Sequence, residues 1–180
     1  DLIVRDLDLL QQISARNRLS IHITITTTKT DLARILEPRA PRPDLRFSAV
    51  KKLVAAGIST SVNCAPILPG ITDSPQDLES VVQAAAAAGA SSVAAIPLFL
   101  KPCSAKVFMP FLQEHFPHLM PLYRARYADR AFLPDDYKKR ISSLVSKLCR
   151  KHGIGIRNHE SSVQTSRVDL SRQLNLFAHE

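Results

Sequence analysis

The stretch Ala55-Ala-Gly-Ile-Ser-Thr60 returns 32 positions later as Ala87-Ala-Gly-Ala-Ser-Ser92. Each copy reads as a helix end, a glycine stop and the start of a strand. Working outward, Leu45 to Ala56 carries helical spacing, and Ile58 to Leu68 is a β-branched strand closed by Pro69-Gly70. Asp73-Ser74-Pro75 opens a helix that runs to Ala88, with the proline in its first turn. Ser91 to Leu100 is then a further strand. Upstream, Leu19-Ser-Ile-His-Ile-Thr-Ile-Thr-Thr-Thr28 alternates apolar and polar residues, a strong strand pattern. Strand–helix units of this length, in succession, predict parallel strands joined by right-handed crossovers. The expected class is α/β with three parallel strands.

The flanks complete the outline. Leu2, Val4, Leu7, Leu9, Leu10 and Ile13 predict an amphipathic helix over about 3–16. A short helix is expected over 31–36, and the proline-rich segment 37–43 forbids continuing it. Beyond 100 the spacing predicts helices near 104–115 and over 134–151. Residues 1–116 then form the strand–helix domain, 117–153 a helical extension, and 154–180 a polar tail that reads as disordered.

Composition excludes several classes. The 180 residues are 45% hydrophobic and 6% aromatic, enough for a buried core. Nothing approaches the apolar run of roughly 20 residues that spans a bilayer, and Asp1-Leu-Ile-Val-Arg-Asp6 is not a secretory signal. A cytoplasmic setting without membrane contact is expected. Cys64, Cys103 and Cys149 lie too far apart for a CxxC pair or a disulfide framework. The net charge is +8, carried as +4 over 1–52, −2 over 53–123 and +6 over 124–180. Two basic flanks around a neutral centre fit nucleic acid as partner, and equally fit scattered solvated faces. Tyr123, Tyr127 and Phe132 interleave with Arg124, Arg126 and Arg130, which suits nucleic acid and also ordinary helix packing.

Parallel α/β folds gather ligands at the C-terminal ends of their strands. The candidates there are the hydroxyls of Thr24 and Thr26, then Asn63, Pro66, Pro69 and Gly70, with Glu37, Arg39 and Arg46 from the intervening loop and helix. Such a set suits a ribose, a carboxylate or a phosphate, and holds no nucleophile–base pair and no metal cluster. The threonines also satisfy strand propensity, and Asn63 also suits pairing with backbone. Cys64 reads as core, whereas Cys103, beside Pro102 and Lys101, reads as exposed.

Several motifs together are similar to a known group. They are Arg5-Asp-Leu-Asp-Leu-Leu10, the strand ending Ile25-Thr-Thr27, Leu36-Glu-Pro-Arg-Ala-Pro41 and Ala65-Pro-Ile-Leu-Pro-Gly-Ile-Thr-Asp73. Over residues 1–153 the chain resembles radical SAM proteins, in particular the spore photoproduct lyase-like, DNA repair photolyase-labelled subgroup. The resemblance implies the C-terminal half of a partial TIM-like (β/α)6 barrel. It implies a [4Fe-4S] cluster held by a CxxxCxxC loop, and S-adenosylmethionine cleaved by one electron to a 5′-deoxyadenosyl radical. The protein then supplies mainly positioning. A lyase-like activity on DNA, with flavodoxin or ferredoxin as electron donor, goes with it. By the same resemblance Thr24 and Thr26 face the ribose or methionine part of S-adenosylmethionine. Asn63 and Pro66–Gly70 lie beside the adenine, Ile96–Leu98 offer backbone to its edge, and Glu37, Arg39 and Arg46 are polar positions between.

This chain departs from that pattern in having no CxxxCxxC. With only three strands expected and no initiating methionine, it reads as the C-terminal portion of a longer protein, inactive alone. A second resemblance lies in the tail, where Gln173, Leu174, Leu176 and Phe177 look like the pentapeptide that binds the bacterial sliding clamp. The rival reading is a non-catalytic DNA- or sliding-clamp-binding module on the same scaffold. An ordinary barrel hydrolase or aldolase lacks support, since no lysine falls within the three strands and no carboxylate pair marks their ends.

Overall fold

The computed structural model describes residues 2–157. Four strands form one sheet in the order β1 (Ser20–Thr24), β2 (Ser59–Ile67), β3 (Ser92–Pro97) and β4 (Gly155–Ile156). Every neighbouring pair is parallel. The α/β class therefore holds, with four strands where three were expected. The added strand is two residues long and contains a glycine, so it carries no period to read. Its partner register, Ser92 to Gly155 and Val93 to Ile156, draws residues 154–157 out of the tail that reads as disordered. The remainder of that tail, with Gln173, Leu174, Leu176 and Phe177, lies outside the described residues.

The helices are α1 (Leu2–Arg5), α2 (Leu7–Arg16), α3 (Thr30–Leu36), α4 (Pro43–Ala55), α5 (Pro75–Ala87), α6 (Pro102–His115), α7 (Met120–Tyr127) and α8 (Asp135–Lys151). A 3-10 turn, Pro117–Leu119, links α6 to α7. The single helix expected over 3–16 is broken at Asp6, whose carboxylate is occupied by Arg5 at 2.9 Å instead of capping α2. At α5 the cap is made, because Ser74 Oγ accepts from the Asp77 amide at 3.1 Å. Gly57 and Gly89, the echoed glycines, have φ of 77° and 79°, a left-handed conformation that lets each chain leave its helix and enter the next strand.

Alternation sorts the sheet into two unlike faces. Ile21 and Ile23 of β1, Val62 and Cys64 of β2, and Val93 and Ala95 of β3 share one face by register. Against it lies the main core, with Val50 of α4, Leu78, Val81 and Val82 of α5, and Tyr137, Ile141, Val145 and Leu148 of α8. α8 packs because its apolar residues recur at 137, 141, 145 and 148 on one face. A second core group sits past the strand ends, joining Leu68, Leu98 and Leu100 to Leu112, Met120 and Tyr123. Ile141 is fully buried. Ile141→Ala is expected to lower unfolding stability by about 2–5 kcal/mol, read from the urea midpoint, because a cavity adds to the lost transfer energy.

Candidate functional site

The strands run in one direction, so their outgoing loops meet at one end. β1 ends at Thr24 instead of continuing to 28. The Ile25 amide extends the ladder by one bond to Asn63 O (2.9 Å), and the Thr27 hydroxyl then accepts from the Lys29 amide (3.1 Å) and turns the chain into α3. Thr26 is left buried at the turn, its hydroxyl donating to Ala65 O at 3.4 Å. β2 ends with a cis Ala65–Pro66 bond and a register irregularity between Cys64 and Ile67. β3 ends at Pro97, and Tyr127 of α7 donates to Leu98 O at 2.8 Å.

A cavity of about 420 Å³ opens at these ends, the size of an ordinary small-molecule site. Thr26 just past β1, Pro66 near the end of β2 and Leu98 just past β3 line it, with Leu36 at the end of α3 and Glu37 after it. α6 closes the remaining side with Ser104, Val107, Phe108 and Phe111. The lining is apolar except for two hydroxyls and one carboxylate. Such a pocket accepts a flat apolar body and orients it through a few polar contacts.

Of the residues expected at the site, Thr26, Glu37 and Pro66 meet in this cavity. Arg46 stands behind it as a brace. Its guanidinium donates to Pro41 O (2.8 Å) and Thr24 O (2.9 Å), and pairs with Glu37 at 2.9 Å. These three contacts hold Glu37 and the 37–42 segment against the end of β1. Thr24 contributes its carbonyl to that brace. Arg39 is exposed on the same segment and reaches none of the cavity lining.

Pro69 and Gly70 do not line the cavity. The Gly70 amide donates to Asp73 Oδ1 at 2.8 Å, and a side chain at Gly70 would meet Leu119 at 3.0 Å. Asp73 Oδ2 in turn accepts from the Tyr137 hydroxyl at 2.8 Å, and Arg126 and Arg140 each stack 5.0 Å from the Tyr137 ring centre. The loop after β2 is thus latched to α8. Asn63 lies on the sheet face opposite the helices, and its buried Oδ1 has no hydrogen-bond partner among the described residues. It does not line the cavity.

That opposite face is polar. By register it carries His22 and Thr24, Ser61 and Asn63, and Ser92. Ser61 Oγ lies 3.0 Å from Ser91 Oγ and 2.9 Å from Ser92 Oγ, and Arg157 Nη1 reaches the His22 imidazole at 2.7 Å. Burial, and next the Arg157 charge, hold the His22 pKa below its ordinary 6.5.

The cysteines form no cluster. Cys64 and Cys149 are buried, and Cys103 is exposed at the start of α6. Burial pushes the Cys64 thiol up to about 12. No group of three or more His, Cys, Asp or Glu side chains suited to a metal ion occurs among the described residues. No helix among them is long and apolar enough to cross a membrane.

The residues that sequence reasoning missed are those of α6. Ser104, Val107, Phe108 and Phe111 recur at three- and four-residue spacing, the signature of one helical face. That stripe was legible, but nothing local says which surface it faces.

No family model matches the chain. It is 28% identical over 176 residues to uncharacterised proteins of Mycobacterium tuberculosis and Mycobacterium bovis, covering 98% of this chain and 52% of theirs. An uncharacterised protein of Acidianus two-tailed virus is 33% identical over 95 residues, 51% of this chain and 31% of its own. One from Methanocaldococcus jannaschii is 32% identical over 73 residues, 41% and 27% respectively. The chain spans about half the length of the mycobacterial relatives it matches.

Arg46→Met removes two hydrogen bonds and the partner of Glu37, and should cost about 2–3 kcal/mol of unfolding stability by urea titration. Arg46→Lys, which lacks the planar fork, should restore only part of that. For His22, folding favours the neutral ring, so its contribution is present above pH 6.5 and is lost as pH falls through the depressed folded value. An NMR titration of the His22 ring should place its pKa below 6.5. Arg157→Gln should raise it without restoring the ordinary value, because burial is the larger cause.

Proposed function

We propose that this chain is the C-terminal portion of a radical SAM enzyme, a partial TIM-like barrel whose strand-end cavity receives the adenosyl part of S-adenosylmethionine. The observation that carries the reading is that Thr26, Glu37 and Pro66 line one cavity at the ends of consecutive parallel strands. All three are positions that the sequence resemblance assigns to that ligand. Sequential strand order without reversal, and helices α4, α5 and α8 together on one face, suit a barrel segment.

The donor set fits a nucleoside. Leu36, Leu68, Leu98, Val107 and Phe108 give an apolar slot for a purine, and the Thr26 and Ser104 hydroxyls and Glu37 carboxylate offer partners for ribose hydroxyls. When bound, S-adenosylmethionine supplies a sulfonium that one electron cleaves to a hydrogen-abstracting radical. The residues of this chain bind and orient it. Thr26 is fixed by Ala65 O, and Glu37 by Arg46, so both polar groups are held in place before the ligand arrives. α6 excludes water from one side.

The [4Fe-4S] cluster does not fit the described residues. Two of the three thiols are buried and separate from the cavity lining, and Cys103 stands alone. No step is therefore routed through a cluster here. The substrate class that goes with this reading is DNA, supported by the basic flanks. The second reading, a DNA- or clamp-binding module without chemistry, rests for DNA on the same charge and for the clamp on the resemblance of Gln173, Leu174, Leu176 and Phe177 to the clamp-binding pentapeptide.

Equilibrium dialysis with S-adenosylmethionine tests the proposal. The chain should bind it, and Val107→Trp, which fills the cavity from an exposed position, should weaken binding at least about tenfold while leaving the thermal midpoint unchanged. Anaerobic reconstitution with iron and sulfide should leave this chain without stoichiometric cluster. Absence of binding, or equal binding by Val107→Trp, would overturn the assignment of the cavity.

A further inference from the structure

Past the end of β3 the chain forms one antiparallel bridge, Phe99 to Phe132, sealed by the Leu100 amide donating to Ala131 O at 2.7 Å. The bridge sets the two phenyl rings against each other, with centroids 5.8 Å apart and planes 28° from parallel. Both residues remain about half exposed, Phe99 at 46% and Phe132 at 57%. Large aromatics ordinarily bury most of their area, so a stacked pair left in water calls for an explanation. Packing does not supply one, because the neighbouring Leu98 and Leu100 already fill the core beneath.

Basic residues outnumber acidic ones in the segment that carries the pair. Lys101 comes two positions after Phe99 and Arg130 two positions before Phe132, and both are exposed. Between 98 and 132 there are five basic residues (Lys101, Lys106, Arg124, Arg126, Arg130) against Glu114 and Asp129. Leu98, next to Phe99, lines the strand-end cavity. Exposed aromatic faces with cationic neighbours suit a base and its phosphates better than an apolar peptide, because every base offers a π-face and every phosphate a charge. A duplex keeps its bases stacked on each other and cannot use such a platform.

We propose that Phe99 and Phe132 form a stacking platform for an unpaired base of DNA, with Lys101 and Arg130 meeting the flanking phosphates. The assignment to DNA rests on the proposed function, and the platform places the strand at the mouth of the same cavity. Stacking holds the nucleotide without reading its identity, so binding is sequence-tolerant and selective for single strands. Neither phenyl supports the core, so both are replaceable without loss of the fold.

Fluorescence anisotropy with a labelled mixed-sequence 20-mer, compared with its duplex and with RNA of the same sequence, provides the test. The single strand should bind more tightly than the duplex, and at least as tightly as the RNA. Phe99→Ala/Phe132→Ala should weaken it at least about tenfold, the scale of losing one stacked base. Phe99→Trp/Phe132→Trp should retain binding. Lys101→Ala/Arg130→Ala should reduce the slope of log affinity against log salt by about 1–2. Unchanged binding by the double alanine variant would overturn the platform and leave DNA binding elsewhere intact. Failure of the single strand to bind at all would overturn the platform together with DNA as substrate class. Tighter RNA binding would overturn the assignment to DNA. Sedimentation that shows a dimer abolished by the double alanine variant, with oligonucleotide binding unchanged, would make the pair a self-association surface instead.

Discussion

Parallel pairing of consecutive strands is the constraint on which the rest of this molecule depends. A parallel strand cannot return by a tight turn, so each must be followed by a crossover of a dozen or more residues. In this chain those crossovers place α4, α5 and α8 together on one face of the sheet, where Val50, Val82 and Ile141 share a core. The same rule leaves every outgoing loop at one end. Thr26, Pro66 and Leu98 lie at the outgoing ends of three separate strands, and they line one cavity because direction and order are shared.

The cavity persists because its polar groups are already engaged. A threonine hydroxyl and a glutamate carboxylate at the mouth of an apolar pocket are costly unless paired. Ala65 O accepts from Thr26, and Arg46 holds Glu37 while tying two carbonyls of adjoining segments. A second latch, from Asp73 to Tyr137, fixes the loop after β2 to α8 and keeps Pro69 and Gly70 out of the pocket. The site is therefore rigid on its sheet side and closed by α6 on the other.

Local patterns made the sheet legible. The echo at 55–60 and 87–92 marks helix stops that recur in the structure as positive-φ glycines, and alternation over 19–28 marks β1. What escaped reading depended on distant partners. β4 has two residues and forms where the Ser91 and Val93 carbonyls along the β3 edge accept from the Gly155 and Arg157 amides. The α6 stripe shows a face without its partner. Arg46 reads as a ligand group, because sequence gives its charge and not the three acceptors waiting around it. The hydroxyls of Thr24 and Thr26 look equivalent by spacing, yet only Thr26 lies in the cavity lining, since β1 ends between them.

The strand-end cavity is proposed to bind the adenosyl part of S-adenosylmethionine. Methyl-labelled NMR during a titration with S-adenosylmethionine reads it most directly, through Leu36, Leu68, Leu98 and Val107 in the cavity and Val50, Val82 and Ile141 in the core. Saturable shifts confined to the four cavity residues are the predicted result. Spectra unchanged at millimolar ligand, or shifts that bypass those four residues, would contradict it.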